Sequence, residues 1–452
     1  MKKRDLTTCK IASGLLFFAA PFLLSLFIQN LYSAVDLFVV GQFASQAQQT
    51  GVSIGSQYMF LVTFTITGLS VGGTVLIGKN VGNKNQAGVN KAIGNLAVIF
   101  VILALFLTVV SALFTGPIIQ LLQTPDSAYE ATFAYTLACS LGIPFIGGYN
   151  VVNSVFRGMG DSKTPLLFVI IACFCNVGLD FLLVCGFKMG ALGAALATSL
   201  SQAISFIFAL IYGIKKKVFA IKKSDFVLER RVVKDILTVG VPIALQDILV
   251  TLSFLIIMAT INSLGDDEAT AVGVTEKIIG FLMLVPAAFS QAVATMSAQN
   301  LGAGKKDRAL KVLIYGVTYS FVFGALVSLY CWVLPQTLTV IFTNVPQVVV
   351  KAGEYLKSYA LDCVLVAFIF CPNAYFGAVG KSYLSFVHSI LATFAFRIPF
   401  TFVFASLYES VGSLTVIGYA APIASVFSTV FCLVAIIVIA KKENVKLVGV
   451  KE

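Results

Sequence analysis

The sequence is poor in charged residues, histidine and tryptophan, and each shortage excludes a class of protein. Only 11% of its 452 residues are charged, against about a quarter in ordinary globular proteins. A single histidine argues against a metallo-hydrolase, and a single tryptophan argues against a carbohydrate-binding platform. The nine cysteines include no CxxC pair, so they indicate small buried side chains rather than a disulfide framework or a zinc site. These shortages exclude a soluble enzyme domain.

Hydrophobic residues make up 58% of the chain, and the mean hydropathy is +0.96. A helix needs about 20 apolar residues to cross the hydrocarbon core of a membrane. Twelve runs of that kind follow one another along the sequence. We therefore predict an all-α polytopic membrane protein with spans near residues 11–40, 52–78, 92–115, 129–157, 164–186, 190–214, 235–263, 270–297, 309–334, 351–376, 382–407 and 412–440.

The basic residues predict how the chain is oriented. Most of the 31 lysines and arginines fall at the N-terminus, the C-terminus and the alternate loops that lie on the same side. Since such residues are retained in the cytoplasm, both termini are expected there, in a plasma membrane of prokaryotic inner-membrane type. The net charge of +11 then reflects topology, and no nucleic-acid partner is expected. The predicted outer loops collect acidic residues, namely Asp126, Glu130, Asp266, Asp267, Glu268 and Glu409.

The chain looks duplicated. A polar, basic linker at 215–234 separates a first lobe, 1–214, from a second lobe, 235–452, which ends in a short cytoplasmic tail. Six spans per lobe is an even number, so both lobes enter the membrane with the same polarity, as in parallel-repeat transporters that enclose a substrate site. Features that align at one nearly constant offset are Pro21 with Pro242, Asn80-Val81-Gly82 with Asn300-Leu301-Gly302, Asn153 with Asn373, Phe156 with Phe376, Gly160 with Gly380 and Ser162 with Ser382.

Two carboxylates inside the first lobe are the strongest functional candidates, because ionisable residues within spans are costly. Asp36 lies in span 1, and Asp180 lies in span 5 with Asn176 on the same helix face. Counting along the helices places both carboxylates and Thr198 in the outer half of the membrane. Two carboxylates in such a pocket repel each other when both are ionised, so at least one should hold a proton. Neighbouring amide and hydroxyl groups would suit a shared proton or Na⁺; alternatively, Asp36 reaches out to water.

The second lobe holds further ionisable residues at membrane depth. Asp247, Asp362 and Arg397 lie at middle depths, and Arg397 is expected to pair with Asp362 or Asp247 in an architectural role. His388 could relay protons, but a lone histidine near the end of a span more often packs against its neighbours. Glu276 and Lys277 lie nearer the outside and, being adjacent, need not pair.

The whole pattern resembles the multidrug and toxic compound extrusion (MATE) transporters. The resemblance runs over essentially the entire chain, and its DinF-like branch fits best. The motifs that carry it are Pro21 and Asp36 in span 1, IGKNVGNKNQAG after span 2, NSVFRGMGDSKTP between spans 4 and 5, NVGLD in span 5, GALGAALATSL in span 6, SAQNLGAGKKDRA after span 8 and FRIP in span 11.

The resemblance implies a MATE-like V-shaped fold of two six-helix lobes. It also implies export of lipophilic organic cations in exchange for H⁺ or Na⁺, with no other cofactor. In another branch an acidic residue stands in span 7, where this chain offers Gln246 and Asp247. The family's cation-site residues match here at Tyr32, Asp36, Asn150, Asn153, Asn176, Asp180, Ala194 through its carbonyl, and Thr198. The choice between H⁺ and Na⁺ stays open, and Na⁺, if it is the coupling ion, would bind at Asp36, Asn176, Asp180 and Thr198.

Two other classes of function remain as alternatives. A flippase for lipid-linked precursors would share the lobed architecture but should line its cavity with several cations for a pyrophosphate, and only Arg397 and Lys277 are available within spans. A membrane-embedded enzyme would need a nucleophile with its base or a set of metal ligands, which one histidine does not readily supply. We therefore expect a secondary transporter rather than an enzyme, acting as a monomer on small molecules amid membrane lipid.

Overall fold

The structure is a computed structural model that describes residues 5–219 and 222–445. The described residues form helices and connecting turns. Lys2, Lys3, Arg4, Lys446 and Lys451, which contribute to the predicted cytoplasmic charge of the termini, lie outside the described residues.

Within the described residues, twelve helical stretches are long and apolar enough to cross a membrane, which confirms the predicted all-α class and span count. The predicted boundaries differ from the observed ones by a few residues, because helices extend beyond the apolar run into polar ends. The spans are Ile11–Phe43, Gln46–Gly82, Gln86–Leu113, Asp126–Gly158, Lys163–Gly186, Gly190–Lys215, Arg230–Asn262, Asp266–Gly302, Lys306–Val333, Pro346–Ala378, Tyr383–Tyr408 and Thr415–Lys442, numbered 1 to 12 below.

Six spans are built from more than one helical piece. Span 4 begins with the turn Asp126–Ala128 before Tyr129–Gly158, span 8 joins Asp266–Leu282 to Leu284–Gly302, and span 12 joins Thr415–Gly418 to Ala420–Lys442. Span 10 joins Pro346–Leu365 to Ala367–Ala378. Spans 5 and 11 contain π-helical turns, often found at functional sites: Phe181–Gly186 follows Lys163–Asp180, and Ala392–Arg397 lies between Tyr383–Leu391 and Ile398–Val411.

Three short helical segments complete the secondary structure. Thr115–Leu121 follows span 3, and Pro335–Thr339 follows span 9. The 3₁₀ turn Lys223–Phe226 lies in the segment before span 7. This segment is fastened to span 3 by the buried Asn95, whose amide donates to the carbonyl oxygens of Asp225 (3.3 Å) and Val227 (3.1 Å) and whose Oδ1 accepts from the Glu229 N–H (2.8 Å).

Small residues allow the helices around the first carboxylate pair to pack closely, as is common in membrane proteins. A side chain at Gly55 of span 2 would meet the Tyr135 ring of span 4. A side chain at Gly142 of span 4 would likewise meet the side chain of Ser199 of span 6. Span 4 therefore packs closely against both span 2 and span 6.

The contacts within the chain group it into two compact units. The first unit contains Leu24–Ala244. One of its clusters of buried hydrophobic residues includes Val39, Val40, Ile143 and Ala194. The second contains the first part of span 1, up to Leu23, and the chain from Leu245 onward. Spans 1 and 7 thus each contribute to both units, and the change of unit falls shortly after Pro21 and Pro242.

Candidate functional site

Asp36 and Asp180 come together inside the first unit. Asp180 is the last residue of the α-helix Lys163–Asp180 and is completely buried, directly before the π-helical turn of span 5. Asp36 lies in span 1 and is half-buried. The two carboxyl groups lie within electrostatic range of each other. Residues far apart in sequence thereby form one acidic pair.

Polar side chains from spans 5 and 6 surround this pair. The Thr198 hydroxyl donates to Oδ2 of Asp36 at 3.4 Å. The Asn176 side chain is also a neighbour of the Asp36 carboxyl group. The structure thus brings together four of the residues expected at the cation site, Asp36, Asn176, Asp180 and Thr198, on three different spans.

Several polar atoms of these residues are buried without a hydrogen-bond partner of normal geometry. They are Oδ1 of Asp36, both carboxyl oxygens of Asp180 and both amide atoms of Asn176. Buried polar atoms are normally paired, and each exception needs an explanation. Oxygens of this type are acceptors for a proton or ligands for a hard cation. This donor set therefore fits either H⁺ or Na⁺ as a transported ion.

Two residues that the sequence did not single out lie within electrostatic range of the acidic pair. Tyr135 and Cys139, one turn apart on span 4, are buried and lie within electrostatic range of Asp36, and Tyr135 also lies within range of Asp180. Neither looked unusual in sequence, because tyrosine and cysteine are common in apolar spans. Among the charged neighbours found for the acidic pair in the described residues there is no cation.

Tyr32 and Ala194 are two further residues that were expected at the cation site. Tyr32 is half-buried and has Asp36 and Tyr149 as electrostatic neighbours. Ala194 is buried in the core cluster of the first unit. Tyr32 therefore lies within electrostatic range of the acidic pair, whereas Ala194 belongs to the hydrophobic core of the same unit.

Asn150 and Asn153, also expected at the cation site, have other neighbours than the two carboxylates. Asn150 donates from its amide to the Ile146 carbonyl oxygen at 2.8 Å, within its own helix. Asn153 is 1% exposed and neighbours Tyr149, but both its amide atoms lack a hydrogen-bond partner. The structure therefore gives these two asparagines no direct contact with either carboxylate among the contacts described.

In the second unit, Asp362 and Arg397 lie within electrostatic range of each other, and Glu276 joins them. The guanidinium donates from Nη1 to the Ser253 hydroxyl at 3.3 Å, and among the described residues it forms no ion pair with a carboxylate. Gln246 and Asp247 of span 7 are half-buried, and no charged neighbour of Asp247 is found in the described part of the chain. Asp247 therefore lies outside this charged cluster.

His388 is part of a packed polar network. Its Nε2 lies 2.9 Å from Oδ1 of Asn373, and its Nδ1 lies 3.2 Å from the Ser428 hydroxyl. The ring also packs beside Phe431 at a centroid distance of 5.8 Å. Because an amide oxygen can only accept, Nε2 carries the proton and Nδ1 accepts from Ser428. This arrangement satisfies a neutral imidazole in a structural role.

Comparison with known proteins agrees with this architecture. The MatE family matches residues 21–182 and again residues 242–403, so the two matches have the same offset as Pro21 and Pro242. The chain is 27% identical to the probable multidrug resistance protein YpnP of Bacillus subtilis over 90% of this chain and 91% of that protein. It is 24% identical to the FAD transporter of Shewanella oneidensis, covering 83% of this chain and 85% of that one.

Solved structures share the fold. A crystal structure described as MATE in complex with MaL6 superposes with a TM-score of 0.90 at 19% identity, covering 98% of this chain and 100% of that one. An outward-facing MATE transporter of the MOP superfamily gives a TM-score of 0.89 at 19% identity, with coverage of 98% and 99%. Assignment to the DinF-like branch stays a prediction. The chain, a multi-pass membrane protein, belongs to the MatE family and has the fold of the MATE transporters.

Proposed function

We propose that this protein is an antiporter that exports lipophilic organic cations in exchange for H⁺ or Na⁺. The observation that carries the proposal is the pair formed by the half-buried Asp36 and the buried Asp180. Three of its four carboxyl oxygens lack a hydrogen-bond partner, and no cation is found among its charged neighbours in the described residues. A buried, uncompensated acidic pair binds a small cation strongly, and an ion must be released again for transport. The pair is therefore assigned as the site of the driving ion.

The same pair links ion binding to conformation. A proton or Na⁺ that enters from outside relieves the repulsion between the two carboxylates. The relaxed pair then favours a different arrangement of spans 1 and 5, in which a cationic substrate is released outward. When the ion leaves to the cytoplasm, the pair regains its negative charge and the affinity for a cation. This cycle is alternating access, with the two lobes assigned to residues 1–214 and 235–452.

The distribution of basic residues supports the orientation within this proposal. Lysines and arginines are retained on the cytoplasmic side, so both termini and the linker at 215–234 are assigned to the cytoplasm of a prokaryotic cell. The ion gradient across the plasma membrane then drives export.

The substrate class follows from the scarcity of cations within the spans. Lipophilic cations bind to aromatic and apolar surfaces by cation–π and dispersion contacts, and this chain has 39 phenylalanines and 15 tyrosines. Polyanionic compounds would need several basic residues, and within spans mainly Lys277 and Arg397 are available. Since one relative is named an FAD transporter, a flavin dinucleotide is the main alternative to a lipophilic cation as substrate.

Purified protein in liposomes tests this proposal. We expect uphill export of ethidium or tetraphenylphosphonium when a pH or Na⁺ gradient is imposed, and no export of FAD. Imposing each gradient separately identifies the ion. Transport of FAD, with no transport of any cation in the panel, would overturn the proposed substrate class. Cation export that ignores both gradients would overturn the coupling.

A further inference from the structure

The second unit contains a buried charged cluster that the acidic pair of the first unit does not use. It is formed by Arg397 at the end of the π-helical turn of span 11, Asp362 of span 10 and Glu276 of span 8. Tyr355 and Tyr359, both buried on span 10, have all three charged groups as electrostatic neighbours. The cluster therefore combines two acidic groups, one cation and aromatic side chains.

Each acidic group of this cluster has a buried oxygen without a hydrogen-bond partner. Asp362 is 2% exposed, and its Oδ1 is unpartnered. Oε1 of Glu276 is likewise buried and unpartnered. Removing charge from water costs free energy unless a partner of opposite sign compensates it. A nearby cation therefore offsets part of the cost of ionising either carboxyl group.

Arg397 is held as a bound organic cation would be held. Its guanidinium lies over the ring of Phe254, 5.1 Å from the ring centre, and donates to the Ser253 hydroxyl at 3.3 Å. Among the described residues, no carboxylate lies within ion-pair distance of it, although both acidic groups are within electrostatic range. An aromatic face, a hydroxyl and two acidic groups within electrostatic range are features that recognise a delocalised organic cation.

We propose that Arg397 is a tethered cation that fills a second cation-binding site, formed by Phe254, Ser253, Glu276 and Asp362. The tether supplies one permanent positive charge to the two acidic groups and excludes free cations from this site. The contrast with the first unit is direct, since no cation lies beside Asp36 and Asp180 in the described chain. The exchangeable ion then binds only in the first unit, and guanidinium-like or lipophilic cations are the class of ligand the second site would take once emptied.

Chemical rescue of purified protein tests this site without measuring transport. Arg397→Ala should melt at a lower temperature than the wild type, and N-ethylguanidinium should raise its melting temperature saturably relative to NaCl of the same ionic strength. At ten times the dissociation constant, the folded-to-unfolded ratio should rise about eleven-fold by mass action. The wild type should show no such response, because its own guanidinium occupies the site.

Three variants serve as controls. Arg397→Lys keeps a tethered cation and should not respond to N-ethylguanidinium. Lys277→Ala removes an exposed cation adjacent to Glu276 in sequence and should not respond either. Combining Arg397→Ala with Asp362→Asn removes the charge that attracts the ligand, so rescue should fall at least ten-fold in apparent affinity.

The outcomes decide the proposal in either direction. Equal rescue of the wild type and Arg397→Ala would show that Arg397 fills no site, as would wild-type stability of Arg397→Ala without rescue. Undiminished rescue in the double variant would show that Asp362 is not part of the site. If Arg397→Ala yields no folded protein, recovery of folded protein in the double variant supports charge compensation, and failure to recover refutes it.

Discussion

Neutralising one carboxylate of the pair formed by Asp36 and Asp180 should abolish ion-coupled export while leaving the protein folded. Asp36→Asn and Asp180→Asn each keep the size and shape of the side chain and remove one negative charge. At a separation of about 4 Å, two ionised carboxylates repel by about 4 kcal/mol at an effective dielectric constant of about 20. This disfavours the doubly ionised pair roughly a thousand-fold, since about 1.4 kcal/mol corresponds to ten-fold.

The pair therefore exchanges essentially one proton or ion as a unit, and either substitution removes that exchange. The double variant should be little worse than each single variant, because effects within one interacting unit are not additive. If the protein exchanges one proton for one monovalent drug, no net charge moves. A pH difference of one unit then supports at most about ten-fold accumulation, from about 1.36 kcal/mol. A second ion would add about 2.3 kcal/mol per 100 mV, roughly 50-fold.

The assay is accumulation of a fluorescent cation in liposomes at a fixed pH difference, with and without membrane potential. The wild type should reach about ten-fold accumulation, and each single variant should fall to equilibration. The matched control is Asp126→Asn, the same chemical change at an exposed position of the same unit, which should behave as the wild type. Normal uphill export by both single variants would refute the site. A double variant far worse than either single one would refute the shared exchange, and Asp247 and Asp362 would then be tested.

Three further predictions concern packing around the sites. Gly55→Ala should lower the free energy of unfolding by about 1–3 kcal/mol, because its methyl group meets the Tyr135 ring, whereas Gly178→Ala has open space and should be neutral in thermal unfolding. Asn95→Ala loses three hydrogen bonds to the segment before span 7, so limited proteolysis should cut there faster; unchanged cleavage would contradict this anchoring. His388→Ala should cost about 1–3 kcal/mol of stability and leave the pH profile of export unchanged, and an altered profile would assign it to proton transfer.

The number and position of the spans could be predicted because they depend on local composition. A run of about 20 apolar residues is unstable in water and stable as a helix in a membrane, whatever the rest of the chain does. The helix ends were less predictable, since caps such as Ser45, whose hydroxyl accepts from the Gln48 N–H, add polar residues to span 2. The duplication was also visible in sequence, because one nearly constant offset aligned separate motifs.

The acidic residues of interest could be found in sequence, but not their neighbours. Asp36 and Asp180 stood out because charge within a span is costly wherever it occurs. Tyr135 and Cys139 of span 4 lie within electrostatic range of Asp36 because of how the spans pack, and the sequence carries no signal of this packing.

Arg397 of the second unit is a further residue that the sequence identified without identifying its neighbours. The sequence identified a buried cation that needs acidic groups nearby, and it offered Asp362 and Asp247 as partners. In the structure, the packing of spans 7, 8, 10 and 11 places the Ser253 hydroxyl and the Phe254 ring against Arg397. Asp362 and Glu276 lie within electrostatic range of Arg397. Hydropathy and the cost of buried charge act residue by residue and can be read along the chain, whereas which charges meet depends on helix rotation and packing, which only the tertiary structure decides.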